Sequence, residues 1–308
     1  MIDKRYPRVE LAAHGEHTIR ILPFPAPDAP RAVIQVLHGM GEHARRYARF
    51  AEAAAARGFA VVAHDHRGHG PQPVVRNYLA ATNGWEQLVA DTLAVHEWAK
   101  NEHPGAPQVL LGHSMGSFVA QHFAMLHGAR LDALLLSGSN WPVRLQLWAG
   151  HLLALFECRR LGERQASPLL DRIGIDAFNR RFEPARTPLD WLSRDEQEVD
   201  RYIADPLCGG PYTAGLWRDL TRGLLAISTD DAVNRVPTDL PILITGGSDD
   251  PVGGDKRLGL LALHYAQTGH NRLSVKLYPG ARHELLNETN RDDVTRDWLD
   301  WMERALRL

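Results

Sequence analysis

Apolar residues in this chain follow two alternating rhythms over most of its length. Short apolar runs recur at 33–37, 60–64, 109–111, 133–136, 242–245 and 273–278, and segments with apolar positions three or four apart, 44–57 and 85–100, lie between the early ones. Short runs bounded by turn residues read as buried strands, and the wider spacing reads as helices packed by one face. The alternation predicts an α/β fold, a mostly parallel sheet with helices on both faces. Ahead of it, 9–11 and 18–22 with a turn at His14-Gly15 predict an antiparallel hairpin, followed by a proline-rich loop over 23–30. Asn83, with Glu86 three residues on, is the expected N-cap of the second helix.

The alternation stops after Ser139. From there to Val236 the chain is rich in Arg, Trp and Leu and lacks β-type runs, so residues 140–235 are expected to form a helical cap. Residues 1–139 and 236–308 then form the core, with Pro237 and Pro241 marking the return to the sheet. Within the cap, Trp141, Leu145, Trp148, Leu152 and Leu155 recur at helical spacing and make one apolar face. Such a face packs the cap on the core, walls an acyl chain, or docks on lipid aggregates. Trp141, Leu145 and Trp148 are therefore candidate substrate-binding residues.

The candidate chemistry centres on Gly112-His113-Ser114-Met115-Gly116, which lies between the strand run at 108–111 and a helical run at 117–126. A Gly-x-Ser-x-Gly turn from strand to helix exposes the serine oxygen, and its glycines let neighbouring backbone come close, so Ser114 is the candidate nucleophile. An acid and a histidine should follow, each after a later strand. The run 241–245 ends in Gly246-Gly247-Ser248-Asp249-Asp250-Pro251, and the run 273–278 ends in Pro279-Gly280-Ala281-Arg282-His283-Glu284. His283 is the expected base; Asp250, stopped by Pro251, is preferred to Asp249 as the acid that orients it. Acyl transfer also needs donors for an oxyanion, expected from the backbone N–H groups of Met115 and of Met40 in His38-Gly39-Met40-Gly41-Glu42-His43.

Four blocks together resemble one family: His38 to His43 with Arg46-Tyr47, Asp65-His66-Arg67-Gly68-His69-Gly70, the Ser114 pentapeptide, and Tyr278 to Glu284. They look like the monoacylglycerol lipase and lysophospholipase branch of the α/β-hydrolase superfamily. Phe178-Asn179-Arg180-Arg181-Phe182 and Asp190 to Asp195 extend the likeness to bacterial lysophospholipases. The resemblance implies a carboxylic-ester hydrolase acting on monoacylglycerol, lysophospholipid or short to medium acyl esters. Ser114, Asp250 and His283 would be its triad, Met40 and Met115 its oxyanion donors, and no cofactor would be required. Proline iminopeptidases share fold and triad, so amide hydrolysis is the rival activity; a cap-pocket receptor with vestigial turnover is the more distant one.

The remaining candidates carry two readings each. His113 contacts the leaving alcohol or makes a structural hydrogen bond; Glu42 and Arg46 contact a polar head group or form a salt bridge that stiffens the oxyanion loop. The histidine-rich turn from His64 to His69 invites a zinc reading. Gly68 stands where the familiar pattern needs an aspartate, so a brace between loops through Asp65 and Arg67 is the expectation, and no metal is assigned. With 308 residues, 44% hydrophobic and 23% charged, the composition is that of a globular chain with one large core. A net charge of -2 without basic runs excludes a general nucleic-acid binder. Residues 1–7 carry charges with no apolar stretch behind them, so no signal peptide is expected; the location expected is cytoplasmic, with Cys158 and Cys208 as free thiols. The partners expected are a small-molecule or lipid ester and, peripherally, lipid aggregates.

Overall fold

The computed structural model describes residues 9–13, 17–71 and 73–308. Eight strands among them form one sheet: β1 (Val9–Ala12), β2 (Thr18–Pro23), β3 (Ala32–Leu37), β4 (Phe59–Asp65), β5 (Gln108–His113), β6 (Ala133–Ser137), β7 (Ile242–Gly247) and β8 (Leu273–Tyr278). Their order is β1-β2-β4-β3-β5-β6-β7-β8. The hairpin β1–β2 and the β2–β4 pairing are antiparallel, and every later pairing is parallel. The His14-Gly15 turn and the charged residues 1–7 lie outside the described residues. Strands β3, β5, β6 and β7 are buried at every position, as expected where helices cover both faces; β8, at the edge, is half open.

One face carries α2 (Gly84–Glu102), α3 (Met115–His127) and α9 (Gly254–Gln267), and its core includes Trp85, Phe118, Phe123, Leu261 and Tyr265. The other carries α1 (Ala48–Ala56) and α10 (Arg291–Leu306) around Phe50, Phe59, Trp298 and Met302. Register aligns the carboxyl ends of the strands: Leu37 lies beside Gly112, His113 beside Ser137, and Gly247 beside Tyr278. In an open parallel sheet this edge is where ligands bind, because the connecting loops diverge there.

The long connection between β6 and β7 is helical. It holds α4 (Arg144–Leu161), α5 (Pro168–Gly174), α6 (Glu196–Ala204), α7 (Ala214–Ile227) and α8 (Asp230–Val233). Side-chain oxygens of Ser167, Asp195, Thr213 and Thr229 cap the starts of the last four, accepting the backbone N–H groups that have no partner within the helix.

Two local expectations hold only in part. Asn83 occupies the N-cap position of α2, but with a left-handed backbone, φ 50°, its side chain makes no cap hydrogen bond. The apolar row on α4 does not pack on the core: Leu145, Leu152 and Trp148 are 80%, 61% and 50% exposed. The opposite edge, Val143, Gln146, Leu147 and Gly150, faces the interior cavity instead, while α7 runs alongside. Two residues along an α-helix turn the side chain by about 200°, so helical spacing at 145, 148, 152 and at 143, 147, 150 describes two opposed faces. Trp141 precedes the helix and stacks on His264 with ring centres 3.7 Å apart.

Candidate active site

Ser114 sits between β5 and α3 with φ 51° and ψ -121°, a positive φ that costs a non-glycine residue on the order of 1–3 kcal/mol. Neighbours over-determine it. Its N–H donates to Ser137 O at 2.9 Å, and its carbonyl accepts from Ser117 N at 2.8 Å. A Cβ on Gly112 would lie 2.6 Å from Ser117 Cα, and one on Gly116 would lie 2.6 Å from His38 O, so neither position admits a side chain. The two glycines let α3 start directly against the end of β3.

His283, after β8, points its Nδ1 at both carboxylate oxygens of Asp250, after β7, at 3.0 Å each. Both residues are buried, and Asp250 Oδ1 also accepts Val252 N–H at 2.8 Å. Asp249 instead pairs with Arg181 at 2.9 Å on the surface. Burial pulls His283 down, but the charge and hydrogen bond of Asp250, with Glu284 and Glu42 behind, outweigh it and leave the imidazole above its ordinary value. Ser114 and His283 line one cavity of about 370 Å³. His113 lines it too, its ring 4.8 Å from that of His283; burial and then His283 lower it to about 4, so it is neutral.

The loop after β3 supplies one amide. Gly39 N–H donates to Glu42 Oε1 at 2.6 Å, and Gly41 N–H donates to His69 Nε2 at 3.1 Å. Between them Met40 N–H has no hydrogen-bond acceptor among the described residues, and Met40 is one of the residues that border the cavity. Met115 opens α3, where the first amides lack helical partners and the macrodipole favours negative charge. The loop is held from below by histidines in a fixed tautomer. His38 donates from Nδ1 to Gly39 O at 2.7 Å and accepts His66 N–H at Nε2, 2.9 Å; His69 donates from Nδ1 to Arg67 O at 2.8 Å. These roles require neutral rings, and burial lowers His69 to about 4 and His38 further below its ordinary value.

Glu42 and Arg46 form a buried brace. Arg46 pairs with Glu42 at 2.8 Å and with both oxygens of Glu284 at 2.6 Å, and Tyr47 O–H donates to Glu42 at 3.0 Å. Burial disfavours the Glu42 charge, but Arg46, His113 and the hydrogen bonds from Gly39 and Tyr47 together outweigh it and hold the carboxyl below its ordinary value. Arg67 pairs with Asp91 at 2.5 Å, and Asp65 Oδ1 accepts Ala44 N–H at 3.0 Å, so this turn also ties loops together. Glu42 borders the cavity; Arg46 does not.

The rest of the cavity is apolar and comes largely from the β6–β7 connection: Leu147, Leu170, Ile175, Phe178, Trp217 and Leu220 among others. Trp141, Leu145 and Trp148 are not part of its wall, which corrects their expected place there. Three contributors were not among the candidate site residues, although Trp191 and Glu284 lie inside blocks that carry the family resemblance. Tyr202 O–H donates to Gly41 O at 2.7 Å, Trp191 places its ring 5.0 Å from His283, and Glu284 is the partner of Arg46. Only Glu284, adjacent to His283, could have been marked from its neighbour.

A serine turn with positive φ at the carboxyl edge of a mostly parallel sheet, with an Asp–His pair after the last two strands, defines an α/β-hydrolase. A family model described as serine aminopeptidase, S33, matches residues 28–290, and the chain belongs to that family. It is similar to the monoacylglycerol lipase of Mycolicibacterium smegmatis, 28% identical over 277 residues that span 89% of this chain and 88% of that one. Human monoglyceride lipase is 30% identical over 272 residues, 84% of this chain and 77% of that protein. A solved lipase in an open form superposes with a TM-score of 0.88 at 28% identity, covering 98% of this chain and 100% of the other. The chain is thus an α/β-hydrolase of the lipase and esterase kind.

Proposed function

We propose that the chain hydrolyses a carboxylic ester of an acyl chain and a small polar alcohol, a monoacylglycerol first among them, through an acyl-Ser114 intermediate. The observation that carries this reading is the shared cavity: Ser114, His283 and the Met40 amide border a space whose remaining wall is mostly aliphatic and aromatic. His283 takes the Ser114 proton as oxygen attacks the carbonyl carbon, and Asp250 stabilises the imidazolium. The amides of Met40 and Met115 receive the oxyanion. Collapse expels the alcohol, which carries away the proton held on His283. Water, deprotonated by the same imidazole, then attacks the acyl-serine and releases the acid. The cycle consumes only ester and water.

Residues 140–235 serve as the cap in this reading and 1–139 with 236–308 as the core. The names of the curated relatives favour glycerol over phosphorylated head groups. The exposed row Leu145, Trp148, Leu152 and Phe156, with Leu169 and Ile173 also exposed, suits docking on lipid aggregates. No helix among the described residues is long and apolar enough to cross a membrane, so such contact is peripheral. The test is covalent labelling by a fluorophosphonate, mapped by peptide mass analysis, beside turnover of an acyl-length and head-group panel. Labelling at Ser114, and loss of both label and turnover in Ser114→Ala, is the expected result. Turnover retained by Ser114→Ala, or preference for an N-terminal proline arylamide over every ester, overturns it.

A further inference from the structure

Beside the cavity, a second set of reactive side chains converges that the hydrolytic cycle does not use. His43 lies at the end of the loop that carries Met40; Asp205 and Cys208 lie in the turn that closes α6. Their imidazole nitrogen, carboxylate oxygen and thiol sulfur all lie within 4.8 Å of one another, and His43 Nε2 is 2.9 Å from Asp205 Oδ2. The turn itself shapes the cluster: Asp205 Oδ1 accepts Leu207 N–H at 2.8 Å, and Cys208 N–H donates to Asp205 O at 3.0 Å. His43 is buried and the other two are half-buried. Among the described residues no other trio of His, Cys, Asp or Glu brings its donor atoms together in this way.

We propose that His43, Asp205 and Cys208 form a binding site for a thiophilic divalent cation, zinc(II) above all. One nitrogen, one oxygen and one sulfur donor with a fourth position for water match a tetrahedral zinc site. Calcium and magnesium favour all-oxygen shells and find only one carboxylate here, whereas a thiolate selects for softer ions. Zinc bonds of about 2.0–2.3 Å set donor-to-donor separations of roughly 3.3–3.8 Å in a tetrahedron, so the His43–Asp205 pair at 2.9 Å opens slightly and the separations of up to 4.8 Å close by roughly 1 to 1.5 Å. The thiol gives its proton to solvent as the sulfur–metal bond forms, and the hydrogen bond from His43 Nε2–H to Asp205 gives way, its proton passing to Nδ1 through solvent so that Nε2 is free to ligate; no electron is transferred. Burial keeps the Cys208 thiol protonated until a cation displaces that proton. Arg46, whose charge acts on Cys208, is paired with Glu42 and Glu284, so it does not repel an incoming ion as a free charge.

An ion at this place joins two segments that already touch. Gly209 N–H donates to Gly41 O at 2.7 Å, so Asp205 to Gly209 is bonded to the loop that holds Met40. Bound zinc would staple that loop to the helical connection and raise the melting temperature. The proposal is independent of the ester reading, because Ser114→Ala retains all three ligands.

The test uses the full chain, stripped by chelator and titrated with zinc(II) against a chromophoric indicator, with cobalt(II) as a spectroscopic probe. Expected are one bound equivalent, a thiolate-to-cobalt charge-transfer band, and a zinc-dependent rise in melting temperature in both wild type and Ser114→Ala. Cys208→Ser and Asp205→Asn should each weaken binding by about ten-fold or more, while Cys158→Ser leaves it unchanged. The absence of stoichiometric binding at micromolar zinc, or binding that survives both Cys208→Ser and Asp205→Asn, overturns the proposal. Circular dichroism of the stripped variants separates lost ligation from lost fold.

Discussion

The Tyr202 hydroxyl donates to the Gly41 carbonyl at 2.7 Å, joining residues 161 positions apart in the chain. Through that bond and its neighbour from Gly209, the helical connection fixes the peptide that follows the free Met40 amide. Tyr202→Phe removes one of two donors on the same oxygen. Its net worth is about 0.5–1.5 kcal/mol, so kcat should fall by roughly three- to ten-fold. KM on a soluble nitrophenyl ester should hardly change, since the oxyanion exists only in the transition state. A rise in KM at constant kcat would show that Tyr202 acts on binding instead.

The acid limb of kcat/KM reports the imidazole of the free enzyme. His283 lies above its ordinary value of 6.5 because Asp250 outweighs burial. In the proposed cycle the neutral ring is the base, so activity should fall as pH drops through a midpoint above 6.5. Asp250→Asn should remove the support, lowering kcat by about 10³–10⁴. A stopped-time pH series on both proteins checks this, and a wild-type midpoint below that of free histidine would contradict it.

Acid stability should be limited by the buried histidines around the carboxyl edge of the sheet. His69 and His113 are lowered to about 4 and His64 to about 3, chiefly by burial. The unfolded chain therefore takes up protons first, and stability declines from the ordinary value of 6.5 down to about 4. Linkage sets the loss at up to a few kcal/mol, roughly, for each fully buried ring. Urea midpoints measured between pH 7 and 4 should fall steadily; a flat series would show that these rings protonate freely when folded. His283 has the opposite sign, its contribution being complete below 6.5 and lost as pH rises through its raised value.

The exposed face of α4 separates surface recognition from chemistry. Leu145→Ser with Trp148→Ser should leave the unfolding free energy within about 1 kcal/mol of wild type, because both positions are open to solvent. Turnover of a soluble short-chain ester should be unchanged, while the rate on monoacylglycerol above its aggregation limit drops several-fold. Equal rates on aggregates would leave the face without a role in docking.

The sheet was legible because its central strands are buried on both sides. Runs such as 33–37 and 242–245 have no competing use for their apolar residues, and the ends of β5, β7 and β8 carry Ser114, Asp250 and His283. The β6–β7 connection was not, because helical spacing identifies a face without saying what it meets. Leu145 and Trp148 share a stripe that points outward, whereas Gln146 and Gly150, unremarkable in sequence, line the cavity. Asn83 has the right identity for a cap and the wrong backbone, since a positive φ swings its side chain off the helix axis. Tyr202, Asp205 and Cys208 meet the loop after β3 only through tertiary folding, and no local pattern announces such a meeting.

Gly116 leaves no room for even a methyl group between α3 and the carbonyls of Leu37 and His38. Ser114 and the first turn of α3 are thereby locked against the end of β3 as one rigid block. The loop of Met40 has no such lock, since it leans on Tyr202 and Gly209 of the segment above. Grafting residues 140–235 from a relative should therefore import that relative's chain-length preference, and the acyl-transfer rate should stay that of the host only where the graft keeps both donors to Gly41.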